Sequence, residues 1–416
     1  MSFLYVIAGV LIFIWLIWIY QMIIGLWGLT SPNLLQGTNN FRKFAILIPA
    51  HNEEKVIGNL INSLIAQAYP KDMYEIIVSC DHCSDDTANV SRELGVKVLE
   101  RENKATKGKT WNVQWALSKI NIHKFDAVLF FDADNIVDRH FLSKMNDLLE
   151  CHPNVQAIQG YLETKNSNDS WISQLYAVTY WFQNRFWSYA RSKAGLSVML
   201  GGTGMLITSN CLKEYGWRQQ SLVEDLELSA QLILSGERIY YNLDAITYDE
   251  KPIDARSSRK QRSRWLQGIV WVFRKFGFTA LKKALMEWNL QYLDLFFTLI
   301  SPGKTAVIYS LTIFSIPLFL TFFFDVFFLK FISFIWISTA IIQSLFIFVI
   351  SPSFRFKKIT FKYVSLFPHI IWYSIKWLPA FLKSIWSWKN QKTWVKTEHV
   401  SNITIEEIDD QKESAV

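Results

Sequence analysis

Cysteine is scarce in this sequence, which argues against a protein stabilised by disulfide bonds and against a cysteine-based zinc site. Four cysteines occur among 416 residues, so a framework of disulfide bonds is not expected. Two of them stand in Cys80-Asp81-His82-Cys83, which has the C-x-x-C spacing of a zinc site, but no second pair lies nearby in the sequence. We therefore interpret Cys80 and Cys83 as ordinary structural cysteines.

Three other signatures are missing. The glycine-containing segment 198–206 is not followed by the Lys-Ser/Thr pair of a Walker A loop. Aromatic residues lie in apolar runs rather than among basic residues, which argues against nucleic acid as a partner. The apolar runs lack the paired charges that line transport pathways, which argues against a transporter.

Apolar residues are abundant but unevenly placed. They make up 50% of the chain, and aromatic residues make up 16%, more than an ordinary soluble protein contains. The excess lies at the two ends, whereas residues 40–290 have the composition of a soluble α/β protein. The net charge of +7 comes mostly from Lys and Arg beside the apolar runs, which suits anionic lipid headgroups and phosphorylated substrates.

The N-terminal apolar run predicts a membrane anchor. Phe3 to Ile24 carries no charge and is long enough to span a bilayer. Neither a basic leader region nor a small-residue cleavage site flanks it, so a retained anchor fits better than a cleaved signal peptide. We predict a transmembrane helix within residues 1–28.

The C-terminal third predicts further membrane helices. Ala306 to Leu329 and Phe331 to Ile350 are each long enough to span. Phe361 to Trp386 is aromatic but contains prolines and charges, so it is either another span or an interfacial helix. We assign residues 291–390 to transmembrane and interfacial helices. Residues 391–416 form a polar tail, which we expect to be disordered from Ile403 onwards.

Between residues 40 and 290, patterns of strand, loop and helix alternate. Each apolar strand is followed by a polar cluster and then by apolar residues at helical spacing. This alternation predicts a parallel, doubly wound sheet, whose ligands bind beyond the carboxyl ends of the strands. The predicted strands are Phe44–Pro49, Ile76–Cys80, Val96–Leu99 and Val128–Phe131.

Two carboxylates directly follow the fourth predicted strand. Asp132 and Asp134 are separated by one residue, so their side chains point the same way in an extended chain. Two hard oxygen donors beside a phosphate suit Mg²⁺ or Mn²⁺. A turn that ends the strand is the alternative explanation, because aspartate is common in turns.

Three later segments also carry candidate chemistry, each with a structural alternative. Residues 171–190 form an aromatic, basic helix that either faces a membrane surface or acceptor, or belongs to the core of the domain. Glu224 and Asp225 open a helix, where carboxylates are also favoured by the helix dipole. Gln261-x-x-Arg264-Trp265 places three side chains on one helix face, but an arginine-rich helix also suits a membrane surface.

Together these motifs resemble the membrane-embedded, inverting family 2 glycosyltransferases with a GT-A catalytic domain, a group that includes the cellulose, hyaluronan and poly-N-acetylglucosamine synthases. The family signature is a first aspartate, a D-x-D, an E-D dyad and a Q-x-x-R-W. The corresponding residues here are Asp81, Asp132 and Asp134, Glu224 and Asp225, and Gln261, Arg264 and Trp265. The resemblance covers residues 44 to 275 by motif and the rest by membrane layout.

The resemblance implies a fold of the α/β class. A Rossmann-like GT-A domain that binds a nucleotide sugar would occupy residues 40–290, with flanking transmembrane and interfacial helices. Nucleotide sugars are cytosolic, so this domain would face the cytosol of a bacterial cell, in a multi-pass protein of the cell membrane. The basic loop at 355–362 would then also lie inside, as the positive-inside rule requires.

The resemblance also implies roles for individual residues. Asp225 would be the general base and Glu224 a second catalytic residue, and a divalent Mg or Mn cation would neutralise the donor diphosphate. Donor-binding residues would be Pro49, Glu53, Asp81, Lys107 and Asp132. Metal ligands would be Asp132 and Asp134. Residues for the acceptor or diphosphate would be Gln261, Arg262, Arg264, Trp265, Gly202 and Thr203.

The implied activity is transfer of a sugar from a UDP-sugar to a growing polysaccharide, in processive synthesis of an exopolysaccharide or capsule. Polymer-extruding members of the group usually have more than the three or four transmembrane helices counted here. A single transfer to a lipid acceptor is therefore an alternative, and a non-catalytic membrane scaffold is a third. The expected partners are the UDP-sugar, a glycan or lipid-linked acceptor, membrane lipid and an accessory membrane subunit.

Overall fold

An eight-stranded mixed sheet forms the centre of the protein. We describe it from a computed structural model over residues 2–32, 35, 37–102, 106, 108–301, 308–313, 327–391 and 403–408. The strands are β1 (Phe44–Ala50), β2 (Tyr74–Asp81), β3 (Lys97–Arg101), β4 (Ala127–Phe130), β5 (Ile136–Val137), β6 (Ala157–Thr164), β7 (Met205–Thr208) and β8 (Ile239–Asp249). Their order across the sheet is β3-β2-β1-β4-β7-β6-β8-β5.

The first four strands form the parallel half that the sequence predicts. β1 pairs in parallel with β2 on one side and with β4 on the other, and β2 pairs in parallel with β3. Along β1, Leu47 packs in the core cluster on one face of the sheet, while Ile46 and Ile48 pack in the cluster on the other face. Burial on both faces explains why these strands appear as unbroken apolar runs.

The other half of the sheet is not parallel, so the prediction of a wholly parallel sheet is wrong. β7 runs antiparallel to both β4 and β6, and β5 runs antiparallel to β8. Met205, the first residue of β7, pairs with Phe130, the last residue of β4. The chain thus enters β7 at the edge where β4 ends and must run in the opposite direction.

Helices cover both faces of the sheet. Within residues 44–272 they are α2 (Ile57–Ile65), α3 (Thr87–Glu93), α4 (Lys109–Lys119), α5 (Phe141–Cys151), α6 (Trp171–Phe182), α7 (Ala190–Lys193), α8 (Ser209–Tyr215), α9 (Glu224–Leu234) and α10 (Ala255–Val272). Outside it are α1 (Ser2–Gly25), α11 (Phe278–Glu287), α12 (Leu290–Ile300), α13 (Phe327–Leu345), α14 (Ser351–Phe356), α15 (Phe367–Ile375) and α16 (Trp377–Ser387).

The aromatic helix α6 packs against the C-terminal apolar helices. Leu175, Val178 and Trp181 on α6 are buried in one cluster with Trp336 of α13. The last turn of α6 continues as a π-helix over Gln183–Tyr189, so the helical path extends without a break. This packing agrees with the core alternative for residues 171–190 on one face of the helix.

Among the described residues, two helical stretches are long and apolar enough to cross a membrane, namely Gly9–Leu29 and Lys330–Phe356. A polar contact joins the two stretches: Trp18 Nε1 donates a hydrogen bond of 3.1 Å to Gln343 Oε1. The predicted span at 306–329 lies mostly outside the described residues.

The segment 361–386 contains two short helices, α15 and α16, rather than one long helix. They have 9 and 11 residues, and a helix that crosses a bilayer needs about 20. This length fits the interfacial alternative better than a further span.

The polar tail is partly ordered, which contradicts the expected disorder at 403–408. A helical turn at 405–408 buries Ile405 and Ile408 against Ile136 of β5 and Tyr248 of β8. The two isoleucines are three residues apart and therefore lie on the same side of a helical turn. They form a small apolar face, which the average composition of the tail does not reveal. The flanking residues 392–402 and 409–416 lie outside the described residues.

Candidate active site

The motifs that the sequence singles out converge on one cleft of about 1020 Å³ at the carboxyl edge of the parallel strands. Every predicted site residue but one contributes to its wall. Lys107 is the exception, because it lies outside the described residues. The predicted residues that line the cleft are Pro49, Glu53, Asp81, Asp132, Asp134, Gly202, Thr203, Glu224, Asp225, Gln261, Arg262, Arg264 and Trp265.

Asp81 is fixed at the end of β2 by an arginine and a histidine. Arg101 Nη1 donates a hydrogen bond of 2.5 Å to Asp81 Oδ1, and His82 Nδ1 lies 2.7 Å from the same oxygen. The other carboxylate oxygen accepts a bond of 3.2 Å from the backbone N–H of Gly108. These contacts hold the carboxylate in one orientation at the end of the cleft formed by β1 and β2.

The loop after β1 is tied to the loop after β2. His51 Nδ1 lies 2.6 Å from the carbonyl oxygen of Asp81, and the backbone N–H of Glu53 donates a bond of 2.8 Å to Thr87 Oγ1. The two loops therefore form one wall of the cleft, as expected where adjacent parallel strands end at the same edge.

Asp132 and Asp134 follow β4, and a hydrogen-bonded network holds the turn between them. The backbone N–H of Asp132 donates bonds of 3.1 Å to Asn135 Oδ1 and to Thr203 Oγ1. Asn135 Nδ2 in turn lies 3.4 Å from Asp134 Oδ1. Thr203, from the glycine-containing segment before β7, thus helps to set the orientation of the D-A-D turn.

The D-A-D turn fits a divalent cation with an incomplete protein shell. Burial raises the pKa of Asp132 above its usual range, Lys109 opposes the rise, and the charge of Asp134 adds to it. Unfavourable carboxylate charge of this kind would be relieved by a cation. Within the described residues, no three His, Cys, Asp or Glu side chains form a complete metal site. Mg²⁺ and Mn²⁺ characteristically complete such shells with water and substrate phosphate.

Lys109 lies among the acidic residues, and sequence reasoning missed it. Its Nζ is 2.5 Å from Asp132 Oδ1, 3.5 Å from Glu224 Oε1 and 2.9 Å from the carbonyl oxygen of Gly202. Burial lowers the pKa of Lys109, but the two carboxylates outweigh burial and raise it above its ordinary value. The available signal was that α4 begins at Lys109, which places this side chain at the carboxyl edge.

Gly202 brings the backbone close to the acidic dyad. Its φ of +78° lies in the left-handed region, which glycine adopts without steric cost. A Cβ at this position would stand 3.2 Å from Asp225 Oδ2 and 3.5 Å from Lys109 Nζ. A larger residue would therefore crowd the carboxylate that the sequence predicts to be the base.

Glu224 and Asp225 form the first turn of α9. Burial and the negative charge of Glu224 raise the pKa of Asp225 to about 7, against the opposing effects of the Leu226 N–H and of Lys109. The N–H of Leu226 donates a bond of 2.7 Å to Asp225 Oδ1. A carboxylate with this pKa can accept a proton from a hydroxyl near neutral pH.

The Q-x-x-R-W residues face the cleft from α10, as their spacing predicts. Gln261 Oε1 accepts a hydrogen bond of 3.4 Å from the hydroxyl of Tyr176. Arg264 Nε is buried without a hydrogen-bond partner among the described residues, and the arginine's charge lowers the pKa of Asp225. Arg264 thus places an unused donor near the acidic dyad, where an anionic ligand oxygen could accept it.

The far end of the cleft is apolar and aromatic, and residues distant in sequence form it. The C-terminal helices close this end against α10, where Gln267 Nε2 donates a bond of 2.7 Å to the carbonyl oxygen of Ser387. The sequence indicated residues 171–190 as a helix that could face an acceptor, and three residues of this wall belong to it. It gave no signal for the C-terminal part of the wall, because helix spacing does not reveal which helices meet. The residues concerned are Leu175, Tyr176, Tyr180, Ile347, Ile370, Tyr373 and Trp377.

Comparison with known sequences identifies a family for the region that builds the cleft. The profile described as "Glycosyltransferase like family 2" matches residues 42–268, more than half of the chain. A probable glycosyltransferase YdaM of Bacillus subtilis (strain 168) is 29% identical over 284 residues, which cover 64% of this chain and 64% of that protein.

Two other kinds of relative have more specific names. A beta-monoglucosyldiacylglycerol synthase of Trichormus variabilis is 28% identical over 244 residues, covering 56% of this chain and 50% of that protein. A probable glucomannan 4-beta-mannosyltransferase 3 of Oryza sativa is 24% identical over 264 residues, covering 61% and 48%. The chain thus spans less than two thirds of the length of these curated relatives.

One solved structure shares the fold. The mannosyltransferase PcManGT from Pyrobaculum calidifontis, in complex with GDP-Man and Mn2+, superimposes with a TM-score of 0.54 at 18% sequence identity. The match covers 82% of this chain and 98% of that one. At this identity the likeness establishes the α/β architecture, which agrees with the predicted GT-A class.

Proposed function

Because the chain belongs to the glycosyltransferase-like family 2, we propose that it transfers a sugar from a UDP-sugar to an acceptor hydroxyl at a membrane, with inversion at the anomeric carbon. The observation that carries this proposal is the convergence of Asp132, Lys109 and Asp225 on one cleft. The cleft thus contains both a site for an anionic diphosphate and a carboxylate whose pKa suits proton transfer.

The donor occupies the end of the cleft formed by β1, β2 and β4. The wall made by Pro49, Glu53 and Asp81 receives the nucleoside, where the fixed Asp81 carboxylate accepts hydrogen bonds from it. The diphosphate lies towards the D-A-D turn, beside the ammonium group of Lys109. Lys109 is thus added to the residues that would neutralise the diphosphate, and the same role for Lys107, which lies outside the described residues, stays a prediction.

Asp132 and Asp134 are the residues that would hold a divalent cation. When bound, Mg²⁺ or Mn²⁺ supplies positive charge that stabilises the departing diphosphate. The PcManGT structure, which is a complex with GDP-Man and Mn2+, supports this assignment by analogy. Thr203 and Asn135 hold the turn that carries both carboxylates.

The transfer itself requires a base opposite the leaving group. Asp225 takes the proton from the acceptor hydroxyl while that oxygen attacks the anomeric carbon. The bond from that carbon to the UDP oxygen breaks, and UDP leaves with the electron pair. Lys109 and the free Nε of Arg264 donate towards the oxygens on which negative charge develops.

Two candidates remain for the acceptor, and an observation favours each. Aromatic side chains such as Trp265 and Tyr373 on the cleft wall suit stacking against sugar rings, which supports the growing polysaccharide predicted from the sequence. The apolar side chains of Leu175 and Ile370 on the same wall suit a lipid acceptor. The relatives point both ways, because some are named for glucomannan and others for glucosyldiacylglycerol.

Membrane attachment is part of the proposal. The stretches Gly9–Leu29 and Lys330–Phe356 are long and apolar enough to span, and α15 and α16 are short enough to lie at the interface. Residues of α15 and α16 line the cleft together with Asp225, so an acceptor held at the membrane surface could reach the base. The catalytic domain would face the cytosol, which supplies the nucleotide sugar.

The test uses the purified full-length protein in nanodiscs with Mn²⁺ or Mg²⁺, a panel of radiolabelled UDP-sugars, and GDP-mannose as a comparison. Transfer from a single UDP-sugar is expected. A long polymer on a sizing gel would identify processive synthesis, and a single-sugar lipid would identify the other acceptor. Transfer from GDP-mannose alone would contradict the proposed donor, and no transfer from any donor would contradict the proposed activity.

A further inference from the structure

Arg262 is buried at the far end of the cleft, where none of the described residues forms an ion pair with it. The residue is 4% exposed, and its Nε donates a hydrogen bond of 3.2 Å to the carbonyl oxygen of Ser258. Its Nη1 is buried and has no hydrogen-bond partner among the described residues. Burial lowers the pKa of Arg262, and the neighbouring groups that act on it most are Tyr373, Tyr176 and Arg259, none of which is a carboxylate.

Aromatic rings partly compensate this charge. The guanidinium carbon lies 3.6 Å from the centre of the Tyr373 ring and 5.0 Å from that of Trp377. Ring faces attract a cation but leave the N–H edges of a guanidinium free. A buried charge with unused donors is costly unless an anion accepts them, so the arrangement favours an anionic ligand.

This arginine does not share a side of α10 with the arginine of the Q-x-x-R-W motif. Residues two apart on an α-helix are separated by about 200° around its axis. Arg264 accordingly acts on Asp225, whereas Arg262 stacks on Tyr373 of α15. The ligand of Arg262 is therefore distinct from the donor diphosphate.

The surroundings of Arg262 indicate what kind of molecule carries the anion. Leu175 of α6, Ile347 beside α13 and Ile370 of α15 line the same end of the cleft. All three belong to the buried apolar cluster that includes Trp336 of the apolar helix α13. A molecule bound here meets a cation at one point and hydrocarbon around it, which describes an amphipathic ligand.

We propose that Arg262 binds the phosphate, or a comparable oxyanion, of a lipid acceptor whose chain lies along the apolar end of the cleft. This inference rests on the proposed function and selects the lipid acceptor over a free glycan. The anion positions the lipid so that a hydroxyl or glycosyl end reaches Asp225. Arg262 binds the anion through charge and hydrogen bonds, and no covalent bond to it forms or breaks.

The experiment measures equilibrium binding of radiolabelled dodecyl phosphate to the full-length protein in maltoside detergent. Competing inorganic phosphate and neutral monododecanoylglycerol separate the contributions of the anion and of the chain. The variants are Arg262→Gln, Arg262→Lys and the matched control Lys260→Gln, an exposed cation on the same helix. UDP affinity is measured on every variant to report folding and the donor site.

Arg262→Gln should weaken dodecyl phosphate binding by about tenfold or more, the usual cost of a lost charge-assisted hydrogen bond. Its UDP affinity should be unchanged. Arg262→Lys should fall in between, because it keeps the charge but loses the planar fork. Lys260→Gln should match the wild type, and both competitors should displace the probe much more weakly than unlabelled dodecyl phosphate.

Several results would overturn the inference. Unchanged binding by Arg262→Gln would remove the role of the arginine, and equal displacement by monododecanoylglycerol would remove the anion. Inorganic phosphate that binds as tightly as dodecyl phosphate would indicate a free anion instead of a lipid. Loss of UDP affinity in Arg262→Gln but not in Arg262→Lys would assign the residue to the donor site and leave the proposed function intact. Absence of UDP binding in the wild type would instead contradict the proposed function itself.

Discussion

The ammonium group of Lys109 lies 2.5 Å from a carboxylate oxygen of Asp132. Lys109 is the first residue of α4 and Asp132 is the second residue after β4, and the sheet brings them together at its carboxyl edge. The same ammonium group lies 3.5 Å from Glu224 Oε1. Lys109 thus connects the D-A-D turn to the E-D dyad, and its charge acts on both halves of the proposed site.

Replacement of Lys109 by methionine should weaken UDP binding by about 10- to 100-fold, because a hydrogen bond to a charged group is lost. Methionine keeps most of the length and apolar stem of lysine, so the packing of α4 should survive. Calorimetric titration of UDP in the presence of Mn²⁺ measures the effect. The matched control is Lys119→Met at the exposed end of the same helix, and equal effects of the two changes would contradict the role of Lys109.

Asp225→Asn should reduce sugar transfer by about 10²- to 10⁴-fold, the usual contribution of a general base. Asparagine has nearly the same shape but cannot take up the proton. UDP affinity should be largely retained, because the base acts on the acceptor and not on the donor. A radiolabelled transfer assay measures the loss, and normal turnover by this variant would remove Asp225 from the mechanism.

The pH dependence of transfer should follow the raised pKa of Asp225, which is about 7. The base acts as the carboxylate, so kcat/KM should rise with pH and reach half of its maximum near pH 7. Well below that value it should fall about tenfold for each pH unit, as the protonated fraction grows. UDP binding over the same range serves as the control and should not follow this profile. A transfer rate that is flat from pH 5 to pH 8 would contradict the assignment.

Arg191 and Asp294 form a buried pair that should be essential for stability. Two hydrogen bonds of 3.0 Å join them, and Tyr20 of α1 donates a third of 3.2 Å to Asp294. Asp294→Ala would leave the arginine charge buried and uncompensated, which costs about 3–5 kcal/mol of unfolding free energy. Thermal unfolding in detergent measures this loss.

The double variant Arg191→Met with Asp294→Leu separates charge from packing. Because it removes both charges together, it should recover much of the stability that Asp294→Ala loses. A double variant as unstable as the single one would show that the pair contributes through shape rather than through charge compensation.

Ile405 should protect the sheet edge beside the D-A-D turn. It packs with Ile408 against Ile136 and Tyr248, so Ile405→Ser should release the tail and lower the local opening free energy by about 1–3 kcal/mol. Hydrogen exchange at 136–137 and 246–249 should accelerate. The exposed neighbour Glu406 provides the control Glu406→Gln, and unchanged exchange in Ile405→Ser would show that the contact is not formed in solution.

The sequence by itself determined the parallel half of the sheet and most of the cleft. Strands such as β1 are buried on both faces, so they appear as unbroken apolar runs that can be recognised without a structure. The locations of Asp81 and Asp132 can be predicted from those strands, because residues at the carboxyl ends of parallel strands lie at the ligand-binding edge of the sheet. The three-residue spacing of Gln261 and Arg264 likewise fixes their common face.

Only the tertiary structure decided the rest, because it depends on contacts between residues far apart in the chain. Three features show this dependence: the reversal of β7, the packing of α15 and α16 against α10, and the docking of Ile405. In each of them the local sequence pattern does not indicate which other segment the residues contact. The contact of Lys109 with Asp132 depends on where α4 begins relative to the end of β4, which the sequence alone does not specify. Sequence periodicity specifies which face of an element is apolar, but only packing specifies what covers that face.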